Sequence, residues 1–164
     1  MFKIIGGLLV LVSTSLWGIN IHKRMKIHTE ITDGCIKGLF CLKENIRFSM
    51  ENLYECLLAC SRSSGRAEQM FKDTANMIKE GVCPSDALFK SVSECELMDE
   101  STKNILYTLE LGKTDAEGQL LMLDKCISEL NLVLVSLTET VKTKGVLYKK
   151  CGIVSGLLIV ILLI

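Results

Sequence analysis

The 164-residue sequence has little proline, few aromatic residues and no net charge. It contains one proline and nine aromatic side chains, and its 19 basic residues balance 19 acidic ones. Binding to nucleic acid needs a basic surface and stacking rings, so this composition speaks against that class of protein. A single proline removes the commonest helix breaker, so helices can extend through nearly the whole chain. Hydrophobic residues make up 49% of the sequence, which excludes a disordered chain.

Motifs for metal binding, nucleotide binding and catalysis are also missing from the sequence. Two histidines occur, and the eight cysteines form no C-x-x-C pair, so the tight ligand spacing of a zinc site is absent. There is no glycine-rich phosphate loop, and no nucleophile is paired with a base by its spacing. We therefore expect no catalytic residue, no metal and no cofactor. Cys56 and Cys60, one helical turn apart, are expected to serve as small apolar residues that a cytoplasmic environment keeps reduced.

The apolar residues concentrate at the two ends of the chain. Residues 4–21 carry no ionisable side chain, and this length meets the threshold for a transmembrane helix. Residues 151–164 are also uncharged, and Lys149 and Lys150 before them can snorkel to extend a short span. We predict transmembrane helices at 4–21 and 151–164, on either side of a helical domain at 23–150.

Basic residues follow the first predicted span and precede the second. By the positive-inside rule, both clusters place the domain between the spans in the cytoplasm. The body at 29–141 then holds 11 basic against 19 acidic residues, a net charge of −8. We expect anionic lipid to attract only the basic neck. A cleaved signal peptide is the alternative at the N-terminus, although such peptides carry their positive charge before the apolar run.

Helical periodicity is clearest in the last third of the chain. Apolar residues recur there with alternating steps of three and four, which is typical of a heptad stripe: Leu120, Leu123, Ile127, Leu130, Leu134, Leu137 and Val141. Upstream, Thr114 and Glu117 have the spacing of a capping box, with Thr114 as the N-cap. This helix is predicted to continue toward the C-terminal span, with Gly145 as a site for a bend.

The remaining segments predict further helices joined by short turns. A stripe from Ile27 to Ile46 continues the first membrane helix, although Gly34 and Gly38 weaken it. Three more N-caps are predicted at Ser49, at Ser85, and at Asp99 or Ser101. No run of period-two alternation indicates a strand. The predicted fold is all-α, an antiparallel bundle of about six cytoplasmic helices flanked by the two transmembrane helices.

A small-residue motif lies in the predicted C-terminal span. Gly152 and Gly156 are four residues apart, so they fall on one face of a helix. Glycines at this spacing let a second membrane helix approach closely, but glycine is also common in membrane helices generally. We keep both residues as candidates for helix packing in the membrane.

Three stretches of the chain carry a resemblance to a known family. They are K-I-I-G at 3–6 with a later Gly18, L-G-x-T-D-x-x-x-Q at 111–119, and K-K-x-G-x-x-x-G-L-L-x-V-I-L-L-I at 149–164. Together with the helical middle and the chain length, they resemble the stage III sporulation protein AB family. Thr114 replaces the serine of the family's L-G-x-S-D-x-x-x-Q stretch and keeps its capping hydroxyl.

The resemblance implies a place and a role that composition does not show. Family members act in endospore-forming bacteria, in the mother-cell membrane around the forespore. Their helical domain is similar to the cytoplasmic domain of the type II secretion F-type platform protein. This implies a non-enzymatic platform that docks a secretion-type ATPase among other membrane proteins of the complex. The candidate partner-binding residues are those of the second stretch and its helix start: Gly112, Thr114, Asp115, Glu117 and Gln119.

Two other functions stay open from the residues alone. The first is a small membrane-bound hydrolase, which a concave pocket with strongly shifted pKa values would favour. The second is a secreted, disulfide-linked protein formed after cleavage of the N-terminal segment. The sequence also leaves open whether the chain forms a homo-oligomer.

Overall fold

A computed structural model describes residues 2–48, 52–145, 147, 148, 150, 151 and 154, with the side chains of 2–12, 14 and 15 excepted. Over these residues the chain is helical and has no strand, as predicted. It forms α1 (Phe2–Phe48), α2 (Leu53–Ser63), a 3₁₀ turn (Gly65–Ala67), α3 (Glu68–Lys79), α4 (Pro84–Glu94), α5 (Glu100–Tyr107), α6 (Ala116–Thr140) and a π-helical turn (Val141–Gly145).

The chain divides into two compact units. Unit 1 comprises Met1–Ile27 and Ser136–Ile164, and unit 2 comprises His28–Val135. Unit 2 contains four whole helices and the inner parts of α1 and α6. Its core is mainly leucine around Phe71, with a buried leucine from each of α1, α2, α4, α5 and α6: Leu39, Leu57, Leu88, Leu106 and Leu130.

Consecutive helices of unit 2 pack on one another, α2 on α3, α3 on α4 and α4 on α5. Short turns join them. Gly81 follows the end of α3 and has a φ of +91°, which glycine adopts without strain. Between α1 and α5, the hydroxyls of Thr32 and Thr102 share a buried hydrogen bond of 2.8 Å. This bond satisfies two polar groups that would otherwise be costly to bury.

The two glycines that weaken α1 by propensity allow it to pack closely in unit 2. A Cβ on Gly34 would lie 2.1 Å from the carbonyl oxygen of Ser64, just after α2. A Cβ on Gly38 would lie 2.4 Å from the Ser64 hydroxyl and 2.4 Å from the ring of Phe71. The missing side chains therefore let the backbone of α1 lie directly against the end of α2 and the start of α3.

Within unit 2, α1 and α6 run antiparallel, as the sequence predicts. Lys43 on α1 forms an ion pair with Asp124 on α6. Earlier on α1, Phe40 lines the same cavity as Ile127 and Asn131, which come later on α6. Because the residue numbers rise on one helix as they fall on the other, the two helices have opposite directions.

The helix starts only partly match the predicted caps. Asp99 caps α5, its side chain accepting from the backbone N–H of Ser101 at 3.0 Å. The prediction of Ser85 as a cap is wrong, because Pro84 is already the first helical residue and the Ser85 hydroxyl donates to the Leu111 carbonyl at 3.0 Å. Asn52 caps α2, accepting from the N–H of Glu55 at 3.0 Å, while the predicted cap Ser49 lies outside the described residues.

Unit 1 contains the π-helical turn at the end of α6. A Cβ on Gly145 would lie 2.5 Å from Nδ1 of His22, so the imidazole of α1 rests directly on this glycine. Gly145, predicted as a bend, therefore ends an irregular turn that accommodates a neighbouring ring. Such turns commonly mark functional sites.

Among the described residues, no helix is both long and apolar enough to cross a membrane. Except for Cys151 and Val154, the segment 151–164 lies outside the described part of the chain, as do most side chains of 4–21. Both spans remain predictions, as does the domain boundary at 23–150.

Candidate partner-binding site

The turn before α6 is fixed against the start of α4. Gly112 has a φ of +76°, a conformation that L side chains rarely adopt, and a Cβ there would lie 3.3 Å from the ring of Pro84. Leu111 is buried beside it, and its carbonyl accepts the hydrogen bond from Ser85. The turn is therefore a defined structure that presents the residues after it in fixed positions.

Asp115, rather than Thr114, is the N-cap of α6. Its Oδ1 accepts a hydrogen bond from the N–H of Gly118 at 3.1 Å, and its carbonyl accepts from the N–H of Gln119 at 2.9 Å. The predicted capping box is thus wrong by one residue, because the aspartate reaches the free N–H groups of the first turn. The hydroxyl of Thr114 lies 4.0 Å from the sulfur of Met122 instead.

The five candidate residues separate into an exposed and a buried group. Gly112, Thr114, Asp115 and Glu117 are exposed. Gln119 is only 8% exposed, and its Nε2 donates to the carbonyl of Glu110 at 3.4 Å. The glutamine therefore holds the turn on α6 and is not part of a surface that a partner meets.

A cavity of about 260 Å³ lies beneath this turn. It brings together four residues of the L-G-x-[ST]-D-x-x-x-Q segment with apolar residues of α1 and α2: Gly112, Thr114, Ala116, Gln119, Ile46, Leu53 and Cys56. The segment thus lines a small recess between helices. The sequence alone does not show this recess.

A second, larger cavity of about 510 Å³ lies along the first turns of α6. Its lining combines acidic and apolar residues: Asp115, Glu117, Gly118, Leu120, Leu121 and Asp124. Leu121 is 74% exposed at its edge. Sequence reasoning missed Leu121 and Asp124, although both lie within ten residues of the motif. The signal was Leu121 itself, an apolar residue that falls off the predicted stripe.

Charge is balanced on the opposite side of the turn. Lys113 Nζ lies 3.0 Å from Oε1 of Glu110, and this hydrogen bond raises the pKa of the exposed lysine above its usual value. The acidic character of the site therefore belongs to the start of α6 and not to the preceding loop.

The marked pKa shifts in the molecule belong mainly to buried thiols away from this site. Burial raises the pKa of Cys35, Cys60, Cys95 and Cys126, and all eight cysteines are free thiols. Over the residues that the structure describes, no group of three histidine, cysteine or acidic side chains is arranged to hold a metal ion. The arrangement at the start of α6 offers a surface for contact.

The candidate membrane-packing residues, Gly152 and Gly156, lie outside the described residues. Their proposed role in helix association stays a prediction.

Neither a curated protein nor a solved structure matches the chain. The family model of stage III sporulation protein AB matches residues 3–164, which is nearly the whole sequence. The chain therefore belongs to the stage III sporulation protein AB family.

Proposed function

We propose that the protein is a non-enzymatic platform of a sporulation complex that links the mother cell and the forespore. Its helical body docks a secretion-type ATPase through the exposed, acidic start of α6. The observation that carries this proposal is the cavity lined by Asp115, Glu117, Asp124 and two leucines beside a rigid turn. Family membership supports the sporulation role, and the similarity of the family to secretion platform proteins favours an ATPase as the partner.

The chemistry of this cavity indicates what the partner presents. Carboxylates around an exposed leucine complement an apolar side chain flanked by lysine or arginine. Glu117 lies in the first turn of α6 and is exposed, so a partner can reach it. Complementary charge raises the association rate and selects the partner, while the apolar contact adds affinity.

In this proposal the two ends of the chain hold the platform in the mother-cell membrane around the forespore. The apolar segments 4–21 and 151–164 insert, and the basic neck between membrane and body contacts anionic lipid. The body then faces the cytoplasm, where an ATPase has its nucleotide, and other membrane proteins of the complex contact the apolar ends.

The test is co-purification of the ATPase with the full-length chain from sporulating cells. Glu117→Lys reverses one charge of the cavity, and we expect a several-fold loss of bound ATPase. Asp115→Asn removes a charge but keeps the cap, because asparagine and aspartate cap equally well. We expect Asp115→Asn also to reduce the amount of bound ATPase and to leave the helix content unchanged.

Glu96→Lys is the matched control, since Glu96 is also exposed but lies in the turn between α4 and α5. It should leave the bound ATPase unchanged. Equal recovery of ATPase with Glu117→Lys, Asp115→Asn and the wild-type chain would refute this docking surface.

A further inference from the structure

We propose that Cys41 and Cys60 form a modification site, a dithiol that hydrogen peroxide converts into a reversible disulfide between α1 and α2. Nothing in the platform role requires this site, which is formed by residues of α1 and α2.

The two thiols share one side-chain neighbour. Nδ2 of Asn45 lies 3.6 Å from Sγ of Cys41 and 3.8 Å from Sγ of Cys60. The Cys41 thiol is also near enough to the Cys60 thiol to contribute, after burial, to the raised pKa of Cys60. Rotation of two side chains whose sulfur atoms surround one amide nitrogen can bring these atoms to the bonding distance of about 2.05 Å.

The backbones of the two helices are close enough for this bond. A disulfide needs Cα atoms within about 7 Å, which helices with large side chains between them do not reach. Here Gly38, three residues before Cys41, leaves no room for a Cβ against Ser64, which lies four residues after Cys60. The Ser64 hydroxyl in turn donates to the carbonyl of Cys60 at 2.6 Å. The glycine contact therefore draws α1 and α2 together one turn away from the thiols.

Peroxide can reach one of the two sulfurs. Cys41 is half-buried and lines an open cavity of about 650 Å³ with Ile36, Phe40 and Ile127. Cys60 is fully buried. Cys41 is therefore the thiol that meets the oxidant, and Cys60 is the partner held in place behind it.

The chemistry balances in two steps. The Cys41 thiol gives up its proton, its sulfur attacks one oxygen of hydrogen peroxide, and the O–O bond breaks. The hydroxide that leaves takes up this proton, so the products are a Cys41 sulfenic acid and water. The Cys60 sulfur then attacks the Cys41 sulfur, the S–O bond breaks, and the oxygen leaves as a second water with the Cys60 proton. Two thiols lose two electrons, and one peroxide gains them.

Two other cysteine pairs are less suited to this reaction. Cys35 and Cys126 are 0% and 3% exposed, so peroxide has no route to either sulfur. Cys56 precedes Cys60 by one turn on the same helix, and it is as buried as its neighbour.

Burial raises the pKa of Cys60, so the second step should quicken as the pH rises and more thiolate forms.

The experiment uses the full-length chain with Cys83→Ser and Cys151→Ser, which removes the two exposed thiols that would join separate molecules. The protein is treated with hydrogen peroxide, free thiols are blocked, and peptides are mapped by mass spectrometry. We expect a peptide pair joined through Cys41 and Cys60, which dithiothreitol separates, and faster formation at higher pH.

Cys41→Ser or Cys60→Ser in this background should abolish the cross-link, and Cys95→Ser, at a half-exposed thiol elsewhere, should leave it intact. Circular dichroism confirms that each variant is folded. A Cys41 that is oxidised to sulfinic acid while Cys60 stays a free thiol would overturn the proposal. So would a disulfide that joins any other pair in the folded chain.

Discussion

At the scale of the residue, the groups with a shifted pKa are mainly cysteine thiols. They pack as apolar side chains, yet they can lose a proton. Cysteine occupies core positions on α1, α2 and α6, where its thiol packs as a small apolar side chain. The same burial opposes ionisation of the thiol. A core rich in cysteine therefore carries a pH limit that a core of alanine would not have.

Cys126 gives this limit a measurable form. Burial raises the pKa of its thiol from 9.0 to about 12. The unfolded chain loses this proton near pH 9 while the folded chain keeps it, so the stabilisation is complete below pH 9 and is lost as the pH rises toward 12. We expect the free energy of unfolding to fall by about 1.4 kcal/mol per pH unit for each such thiol in this range.

Urea unfolding between about pH 8 and about pH 10 measures the slope. Cys126→Ala should give a shallower slope than the wild-type chain, because it removes one of the shifted groups. Cys83→Ala, at an exposed position, should keep the wild-type slope. An identical slope in the Cys126→Ala chain would contradict the prediction.

At the scale of the element, α1 depends on what its glycines omit. Helix propensity alone favours alanine over glycine by about 1 kcal/mol. The close approach of Gly34 to the Ser64 carbonyl opposes this, because the nearest atom belongs to a backbone that cannot rotate away. Packing should therefore decide the sign of the change.

We expect Gly34→Ala to lower the free energy of unfolding by about 1–3 kcal/mol, since α1 must shift outward to admit the methyl group. Urea unfolding of the full-length chain measures the change. Lys37→Ala, at an exposed position one turn away, is the control and should cost only a few tenths of a kcal/mol through its ion pair with Asp33. A stabilised Gly34→Ala chain would show that propensity outweighs packing.

The sequence predicted the existence and order of the helices better than their exact faces. In α6 the buried residues are Gln119, Leu123, Cys126 and Leu130, whereas several members of the predicted stripe, such as Ile127, are only half-buried. The core face therefore shares Leu123 and Leu130 with the stripe but has Gln119 and Cys126 in place of Leu120 and Ile127. Gln119 is buried because of its bond to the Glu110 carbonyl, and no local pattern predicts a bond between a helix and its preceding loop.

The candidate site shows the same division. The L-G-x-[ST]-D-x-x-x-Q segment predicted a helix start here but placed its cap one residue early, at Thr114 and not at Asp115. The cavity beside it needed the fold, because Asp124 reaches it from the third turn of α6 and pairs there with Lys43 of α1. Contacts between distant parts of the chain are invisible to periodicity.

At the scale of the whole molecule, the thiols also offer a map of the predicted topology. Cys83 is exposed before α4, in the body predicted to face the cytoplasm, whereas Cys35 is 0% exposed. When the full-length chain is produced in the cell membrane of vegetative bacterial cells, whose outer face the reagent can reach, a membrane-impermeant maleimide added to the intact cells should leave Cys83 unlabelled. After permeabilisation it should label Cys83 fully, while Cys35 stays protected until the chain is unfolded.

A protein with a single cysteine introduced into a periplasmic loop of a known membrane protein serves as the positive control for intact cells. Labelling of Cys83 before permeabilisation would place the body outside the cytoplasm and would refute the predicted orientation.

The π-helical turn at Val141–Gly145 has a consequence for the rotational phase of unit 1. A π turn adds a residue to the hydrogen-bonded ring, and one residue corresponds to about 100° of rotation in an α-helix. The side chains of Leu147 and Tyr148 are therefore rotated relative to the directions that a continuous α-helix from Ser136 would give them. The imidazole of His22 lies against Gly145 at this point. A single-residue deletion in the turn would therefore change the length of the helix only a little. It would change the directions of the Leu147 and Tyr148 side chains far more.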